Sequence, residues 1–216
     1  MAERIRPEVA VVVGRRIRAL RAEGGLSVAQ LGERSDVSRR MLTQIELGQA
    51  NPSLGTVDRI ASALGTTFAA LVGVTGEPAP GGVSPDGVLV WSTPRGSWAY
   101  LLTAVEIEPY AVETWKWHLV AGDTYRVSPD LGTPDTMVHV LCGTLRVRPE
   151  AEGAAPVEVA ASASTRITDR SAYVLEAVPD EVPGSAPDGS SGETDFMYVV
   201  MVPRGSVRRT VGPAAG

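Results

Sequence analysis

Apolar side chains recur every three or four residues through the first third of the chain, and they alternate with polar side chains beyond it. The first pattern predicts amphipathic helices, and the second predicts strands. A first helix is predicted over residues 9–23, where Gly24 and Gly25 end it. Three further helical patterns follow, and a short fifth helix is predicted over residues 67–72.

Two of these helices meet at a short polar turn, and each begins at a serine. Ser27 stands three residues before Gln30, which is a capping-box pattern, and Ser38 is placed to cap the next helix. Asp36 lies in the turn, where a left-handed backbone conformation is expected. Gly32 is expected where two helices cross closely. The polar tip of the second of these helices suits insertion into the major groove of DNA.

From residue 88 onwards the alternation predicts many short strands. Residues 74–88, GVTGEPAPGGVSPDG, are rich in Gly and Pro and predict a linker. Residues 182–195 predict a polar loop. Many strands without a helical pattern predict a closed or two-layered antiparallel β domain. The predicted strands are VLVWST, WAYLLTAVEI, VETWKWHLV, TMVHVLCGTLRVRP, VEVAAS, TRIT, AYVLEAV and FMYVVMVP.

Charge is distributed unevenly over the two parts. Residues 1–73 carry ten Arg against seven acidic residues, while residues 74–216 carry ten basic against eighteen acidic residues, for a total of −5. A basic first third on an acidic body indicates that only the first third meets a polyanion. The chain shows no signal-peptide pattern and no run of about 18 apolar residues. Its single cysteine, Cys142, excludes an internal disulfide. These features favour the cytoplasm.

The first 73 residues resemble the XRE (Cro/CI-like) helix-turn-helix family. The resemblance lies in the GRRIRALR opening, in the S-x-x-x-L-x-Q-I-E-x-G string from Ser38 to Gly48, and in the NPSLGTVDRIASALG close. It implies an all-α, five-helix, lambda-repressor-like DNA-binding domain over residues 1–73. In this family the third helix enters the major groove, and its N-terminal residues touch base edges.

Carried over by position, the resemblance implies a set of DNA-contacting residues. An arginine at the start of the third helix can bind guanine through two hydrogen bonds, and Gln44 can read adenine. The N-terminus of the second helix lies where backbone amides meet a phosphate. The family often has glutamine where this chain has Val28, so one side-chain phosphate contact is expected to be missing. The full set is Ser27, Val28, Ser38, Arg39, Arg40, Thr43, Gln44, Gln49 and Asn51.

The alternative interpretation is a helical bundle whose arginines are simply solvated. It applies in part to four arginines of the first helix, Arg15, Arg16, Arg18 and Arg21. Glu46 is not assigned to DNA, because the resemblance implies that this position supports the fold internally.

Residues 89–203 resemble a cupin, specifically the sensor half of XRE–cupin regulators. The resemblance lies in VETWKWHLVAGDTYRVSPDLGT, VHVLCGTLRV, ITDRSAYVLEAVPD and FMYVVMVP. It implies an all-β, cupin-like (jelly-roll) barrel over residues 89–216, which senses a ligand or holds a dimer together. The linker over residues 74–88 would join it to the helical domain.

Metal-binding cupins hold iron, manganese or zinc with three His and one Glu. Here Ser128 and Asp130 stand at the first two His positions, and Asp180 stands at the third. Asp135 or Thr136 falls near the Glu position. No His remains at a ligand position, so neither a metal nor another cofactor is expected. The three loop aspartates offer oxygen ligands for a hard cation, although such carboxylates are usually solvated.

A barrel without metal can still bind a small organic ligand. The candidates to line such a pocket are Trp115, Trp117, Tyr125 and Tyr173. The alternative places these aromatic residues in the core or in a dimer interface. His118 and His139 are expected to be structural or at the surface, and Cys142 is expected to be a small buried filler.

The sequence therefore predicts a homodimeric transcriptional regulator without enzymatic activity. It would bind a palindromic operator in double-stranded DNA and respond to a small-molecule effector through the barrel. Three alternatives stay open: a cupin enzyme with a tethered DNA-binding head, an antitoxin-type autoregulator, and a regulator whose barrel only dimerises.

Overall fold

The computed structural model describes residues 4–74, 87–107, 110–127, 136–168, 171–179 and 192–203. Within these residues helices come first and strands follow, which confirms the predicted order of an all-α part and an all-β part. The cupin-like (jelly-roll) barrel stays a prediction. The helices are α1 (Pro7–Glu23), α2 (Val28–Ser35), α3 (Arg39–Glu46), α4 (Leu54–Ala63) and α5 (Phe68–Val72). None of them is long and apolar enough to cross a bilayer.

The strands form two antiparallel sheets. The six-stranded sheet has the order β1-β2-β3-β10-β5-β8, and the four-stranded sheet has the order β4-β9-β6-β7. The strands are β1 (Val88–Ser92), β2 (Trp98–Ile107), β3 (Tyr110–Val120), β4 (Thr124–Val127), β5 (Thr136–Cys142), β6 (Thr144–Pro149), β7 (Val157–Ala160), β8 (Ser164–Ile167), β9 (Tyr173–Ala177) and β10 (Glu193–Pro203).

Two details differ from the predicted pattern of strands. Strand β4 was not predicted, because the hydrogen bonds that define it come from the distant strand β9. Strand β10 begins at Glu193, so the predicted loop ends earlier, because residues 193–195 pair with β3. Residues 75–86 and 182–191 lie outside the described residues, so the linker and the rest of that loop stay predictions.

Alternation along the strands places a layer of aromatic side chains between the two sheets. Every second residue of β3 is buried, among them Trp115 and Trp117 at 3% exposure each. The Trp117 ring lies 4.5 Å from the ring of Tyr125 on β4, and it stacks on Phe196 of β10 at 6.0 Å. The two sheets therefore share one apolar interior.

The helical domain is built around a close crossing of α1 and α3. A Cβ atom at Gly14 would lie 2.0 Å from the Ile45 carbonyl oxygen, so only glycine permits this crossing. The close approach expected at Gly32 also occurs, although its neighbour is the carbonyl of Val37 in the turn, 2.7 Å from a Cβ at Gly32. Leu42 and Ile45 fill the crossing from the α3 side.

An ion pair joins the C-terminal ends of α1 and α3. Arg21 donates from Nε to Glu46 Oε1 at 2.6 Å and from Nη2 to Oε2 at 2.8 Å. Its Nη1 donates to the carbonyl of Leu26 at 2.9 Å. The internal role expected of Glu46 is confirmed. The solvated role expected of Arg21 is wrong, because the α1–α3 packing leaves its side chain only 16% exposed.

Removing one partner of this pair leaves the other charge buried without compensation. We expect Glu46→Ala to lower the free energy of unfolding by about 3 kcal/mol, near the lower end for broken buried pairs because Arg21 keeps some access to water. Chemical denaturation followed by circular dichroism measures this loss. Glu33→Ala on the exposed face of α2 is the control, and an equal effect of the two variants would contradict the assigned role of the pair.

Candidate nucleic-acid interface

The start of α2 and the turn between α2 and α3 show the local features that the sequence predicted. Ser27 Oγ accepts from the Gln30 amide at 3.2 Å, while Gln30 Oε1 accepts from the Ser27 amide at 2.8 Å, which confirms the capping box. Asp36 has φ 51° and ψ 40°, which confirms the left-handed conformation. Ser38 Oγ accepts from the Met41 amide at 3.2 Å and caps α3. The conformation of Asp36 and the cap at Ser38 shape the turn from which α3 begins.

Helix α3 has one buried face and one face open to solvent. Leu42 and Ile45 are 0% and 1% exposed. Arg39 and Arg40 are exposed at its first turn, and no hydrogen bond or ion pair joins either guanidinium to another described residue. Their donors are therefore available to a ligand outside the chain, in the fork geometry that suits a guanine edge or a phosphate.

The next turn of α3 carries the two other predicted base-reading residues. Gln44 is half-buried, and Thr43 is exposed. The Thr43 hydroxyl donates to the Arg39 carbonyl at 2.9 Å, so its one O–H donor is already engaged within the helix. Thr43 therefore offers a methyl group, which suits apolar contact with a thymine methyl, and a hydroxyl oxygen that can only accept.

The remaining predicted contacts lie at the start of α2 and in the segment after α3. Ser27 and Gln49 are exposed, while Val28 and Asn51 are half-buried. Buried Asn51 Oδ1 has no hydrogen-bond partner among the described residues. It lies at a cleft of about 370 Å³ beside the α2–α3 turn. The cleft is also lined by Arg4, Ser38, Ser53 and Arg59.

Arg4 was not among the residues that the sequence predicted to contact DNA, although it lines the cleft beside the α2–α3 turn. Its backbone pairs with Ser53 in an isolated β-bridge, and the next amide, that of Ile5, donates to the Pro52 carbonyl at 3.2 Å. This contact brings a cation from the chain start to the segment after α3. No sequence signal could have revealed it, because the pairing joins residues about fifty positions apart.

The four predicted pocket residues are all buried, with 3% to 6% of each exposed. The structure brings Trp115, Trp117 and Tyr125 together in the layer between the sheets. The Tyr173 hydroxyl lies 2.6 Å from that of Tyr198. Burial raises the pKa of both phenols above the usual value, so both are neutral at physiological pH. Their packing is that of a core, and their role in binding a ligand stays a prediction.

The two histidines and the cysteine belong to strands β3 and β5, and His118 is half-buried among them. His118 Nδ1 lies 2.7 Å from Asp195 Oδ1, and its ring stacks on Trp98 at 5.3 Å. His139 is exposed, and its Nδ1 lies 2.8 Å from Ser164 Oγ. Cys142 is exposed, so its expected role as a buried filler is wrong. It ends β5 beside the register shift of β10, where the inward alternation stops.

The positions that the cupin resemblance places at metal ligands are mostly outside the described residues. Ser128, Asp130, Asp135 and Asp180 belong to those segments, while Thr136 is buried at the start of β5. In the part of the chain that the structure describes, no group of three or more His, Cys, Asp and Glu side chains is placed to hold a metal ion. The expectation of a metal-free domain stays a prediction.

Two sequence comparisons concern the helical part of the chain. Residues 17–71 match the HTH_3 family, described as helix-turn-helix. The N-terminal region is a helix-turn-helix domain. An immunity repressor protein of Bacillus phage phi105 is 44% identical over 63 residues, which are 29% of this chain and 44% of the repressor. The chain thus matches less than half the length of that relative.

Two solved structures resemble a larger part of the chain. An HTH_3 family transcriptional regulator from Vibrio cholerae superposes with a TM-score of 0.62 and 22% identity, covering 92% of this chain and 99% of that one. This likeness shows that the helices and the β domain together form a known fold. A cupin superfamily protein from Desulfitobacterium hafniense DCB-2 covers 52% of this chain and 83% of its own, with 7% identity and a TM-score of 0.36.

Proposed function

We propose that this protein is a sequence-specific, DNA-binding transcriptional regulator that works in the cytoplasm as a homodimer. The observation that carries the proposal is the division of α3 into two faces. Leu42, Ile45 and Glu46 hold one face against the domain, while the guanidinium groups of Arg39 and Arg40 stand at the open end. A helix held from behind and polar at its exposed tip suits the major groove.

In this proposal each predicted residue has a defined part. Arg39 or Arg40 binds guanine, Gln44 reads adenine, and the Thr43 methyl group contacts a thymine methyl. The amides at Ser27 and Val28 meet one phosphate. Ser38, Gln49 and Asn51 contact the backbone around the tip of α3, which fixes its register on the duplex.

Selection of genomic DNA fragments by the purified full-length protein tests the proposal, with sequencing of the bound fraction at a stated salt concentration. We expect an enriched inverted repeat, because a twofold dimer places its recognition helices about 34–36 Å apart, one turn of the duplex. Equal recovery of all fragments, under salt conditions where non-specific binding is weak, would contradict sequence-specific recognition.

Loss of a base-reading arginine is expected to weaken specific binding without unfolding the domain. Arg40→Ala should cost about 1–3 kcal/mol of discrimination if Arg40 makes the paired hydrogen bonds to guanine, and the same holds for Arg39→Ala. Fluorescence anisotropy on the enriched repeat and on a scrambled duplex measures this difference. Arg148→Ala removes a charge from the β domain and is the control. Unchanged specificity in both the Arg39→Ala and the Arg40→Ala variant would show that α3 does not read the bases.

We propose that the dimer forms through the outer face of the six-stranded sheet. Apolar side chains with 39% to 57% exposure lie on this face. Several of them are opposite other apolar residues on the neighbouring strand. Met137 pairs with Val199, and Val112 lies between Met201 and Val105. The exposed members are Val105, Ile107, Tyr110, Met137 and Leu141.

Two observations favour a second copy of the chain as the partner that covers this face. They are the area of the face and the charged outer surface of the four-stranded sheet. The strands β2, β3, β10 and β5, of up to 11 residues, span roughly 700 Å² at standard strand spacing and rise. A standard interface buries roughly 800 Å² per partner. On the six-stranded sheet the contact between His118 and Asp195 is polar, whereas the outer face of the four-stranded sheet carries three arginine–carboxylate pairs: Arg126 with Glu150, Arg146 with Glu158, and Arg148 with Glu176.

A charge on the apolar face should therefore separate the subunits. We expect Met137→Glu to convert a dimer into a monomer in size-exclusion chromatography with light scattering, because the twofold contact would bury an unpaired carboxylate. Val157→Glu is the matched control, since Val157 on β7 is 49% exposed against 55% for Met137. A monomeric wild-type chain would contradict the dimer. Dissociation by Val157→Glu alone would place the contact on the other sheet.

The proposed effector is a small organic molecule bound among the buried aromatic residues. Trp117 Nε1 supports this, because it is buried and has no hydrogen-bond partner among the described residues. A ligand acceptor would satisfy this donor. Thermal-shift screening against metabolites tests the idea, because a ligand of the folded state raises the melting temperature. A domain that only dimerises would show no shift, and a cupin enzyme would carry stoichiometric metal when purified.

A further inference from the structure

A buried carboxyl group connects the helix-turn-helix domain to the β domain. Glu113 lies on β3, faces the interior and is 3% exposed. Its Oε1 accepts a hydrogen bond from the backbone amide of Ala69 in α5 at 3.2 Å. Its Oε2 accepts from Trp115 Nε1 at 3.2 Å. One side chain of the β domain thus holds the last helix of the DNA-binding domain.

Aromatic packing completes the contact around this carboxyl group. Phe68, the first residue of α5, stacks on Trp115 with ring centroids 5.9 Å apart and an interplanar angle of 18°. Trp115 in turn lies 6.3 Å from Trp117, which is part of the layer between the sheets. The packing of α5 is therefore continuous with the interior of the β domain.

The groups facing Glu113 do not include a cation among the described residues. Its two hydrogen-bond donors, an amide and an indole, are both neutral. Two titratable groups lie nearby, Tyr198 on β10 and Asp58 on α4. Burial raises the pKa of the Tyr198 phenol, and the charges of Asp58 and Glu113 raise it further. Tyr173 lies behind Tyr198 at hydrogen-bond distance. The phenols stay neutral in the physiological range, so they do not compensate a negative charge.

Desolvation outweighs the two hydrogen bonds in setting the charge of Glu113. Burial raises the pKa of its carboxyl group from 4.5 to about 7, although the bonds from Ala69 and Trp115 act in the opposite direction. If α5 leaves the β domain, water reaches the carboxyl group and this desolvation is relieved. A charged Glu113 then favours the undocked arrangement, because hydration of a carboxylate is strongly favourable.

We infer that Glu113 is a coupling residue, whose neutral carboxyl group docks α5 on the β domain and whose loss of a proton weakens that docking. In the docked state burial raises the pKa of the Glu113 carboxyl group to about 7, whereas a carboxyl group that water reaches in the undocked state would have a pKa closer to the ordinary 4.5. Docking therefore weakens as the pH rises between these two values and is constant above the higher one. An effector that changes the interior around Trp115 would act on the same contact.

Hydrogen–deuterium exchange of the full-length protein tests this inference directly. The protection of peptides covering residues 66–74 is measured between pH 5 and pH 8 and corrected for intrinsic exchange rates. In the wild-type chain we expect protection to fall between pH 5 and pH 7, by at most about tenfold per pH unit, and then to level off. Glu113→Gln cannot ionise, so its protection should not change with pH.

A second variant keeps the test decisive if Glu113→Gln folds poorly. Trp115→Phe keeps an aromatic ring against Phe68 but removes one donor that stabilises the carboxylate, so its fall in protection should extend to higher pH. Glu158→Gln on the outer face of the β domain is the control and should follow the wild-type profile.

Three results would overturn the inference. The first is a wild-type protection that does not change with pH. The second is a Glu113→Gln variant whose protection follows the wild-type pH profile. The third is a fall in protection with pH that is absent from Asp58→Asn but present in Glu113→Gln. The experiment uses no DNA. Failure of the proposed operator binding and failure of this coupling are therefore separate results.

Discussion

The packing around the Trp117 ring is the contact on which the rest of the structure depends. Rings from several strands surround it, including Trp91 of β1 at 5.6 Å, Tyr125 of β4 at 4.5 Å and Phe196 of β10 at 6.0 Å. Because these strands belong to both sheets, one side chain holds the two layers together. Its buried N–H has no hydrogen-bond partner among the residues that the structure describes. Trp115 continues this packing to α5 and so to the helical domain.

The helical domain separates the side chains that hold it from those that it presents. Gly14 allows α1 and α3 to touch, and the Arg21–Glu46 pair holds them together. Because these contacts use only the inner face of α3, the residues on its outer face are not needed for stability. That face can carry two arginines that pair with no other described residue, in a protein of net charge −5. Stability and recognition are thus assigned to opposite sides of a short helix.

Local features of the helical domain could be predicted because their causes are local. The capping box at Ser27, the left-handed Asp36 and the cap at Ser38 each depend on residues within about three positions of one another. The buried pair of Arg21 and Glu46 joins residues 25 positions apart. Because no local pattern indicates that pair, the sequence predicted Arg21 to be an ordinary surface arginine. In the β domain, alternation identified most strands, but β4 required its partner β9 to be recognised.

By itself the sequence determined the order of helices and strands, the turn of the helix-turn-helix domain and the polar tip of α3, because periodicity and capping act over one or two turns of chain. Only the tertiary structure decided which side chains are buried together. It placed Cys142 at the surface, brought Arg4 beside the segment after α3, and put the Glu113 carboxyl group against the amide of Ala69. These arrangements depend on strand register and domain contact, which join residues that no local pattern relates.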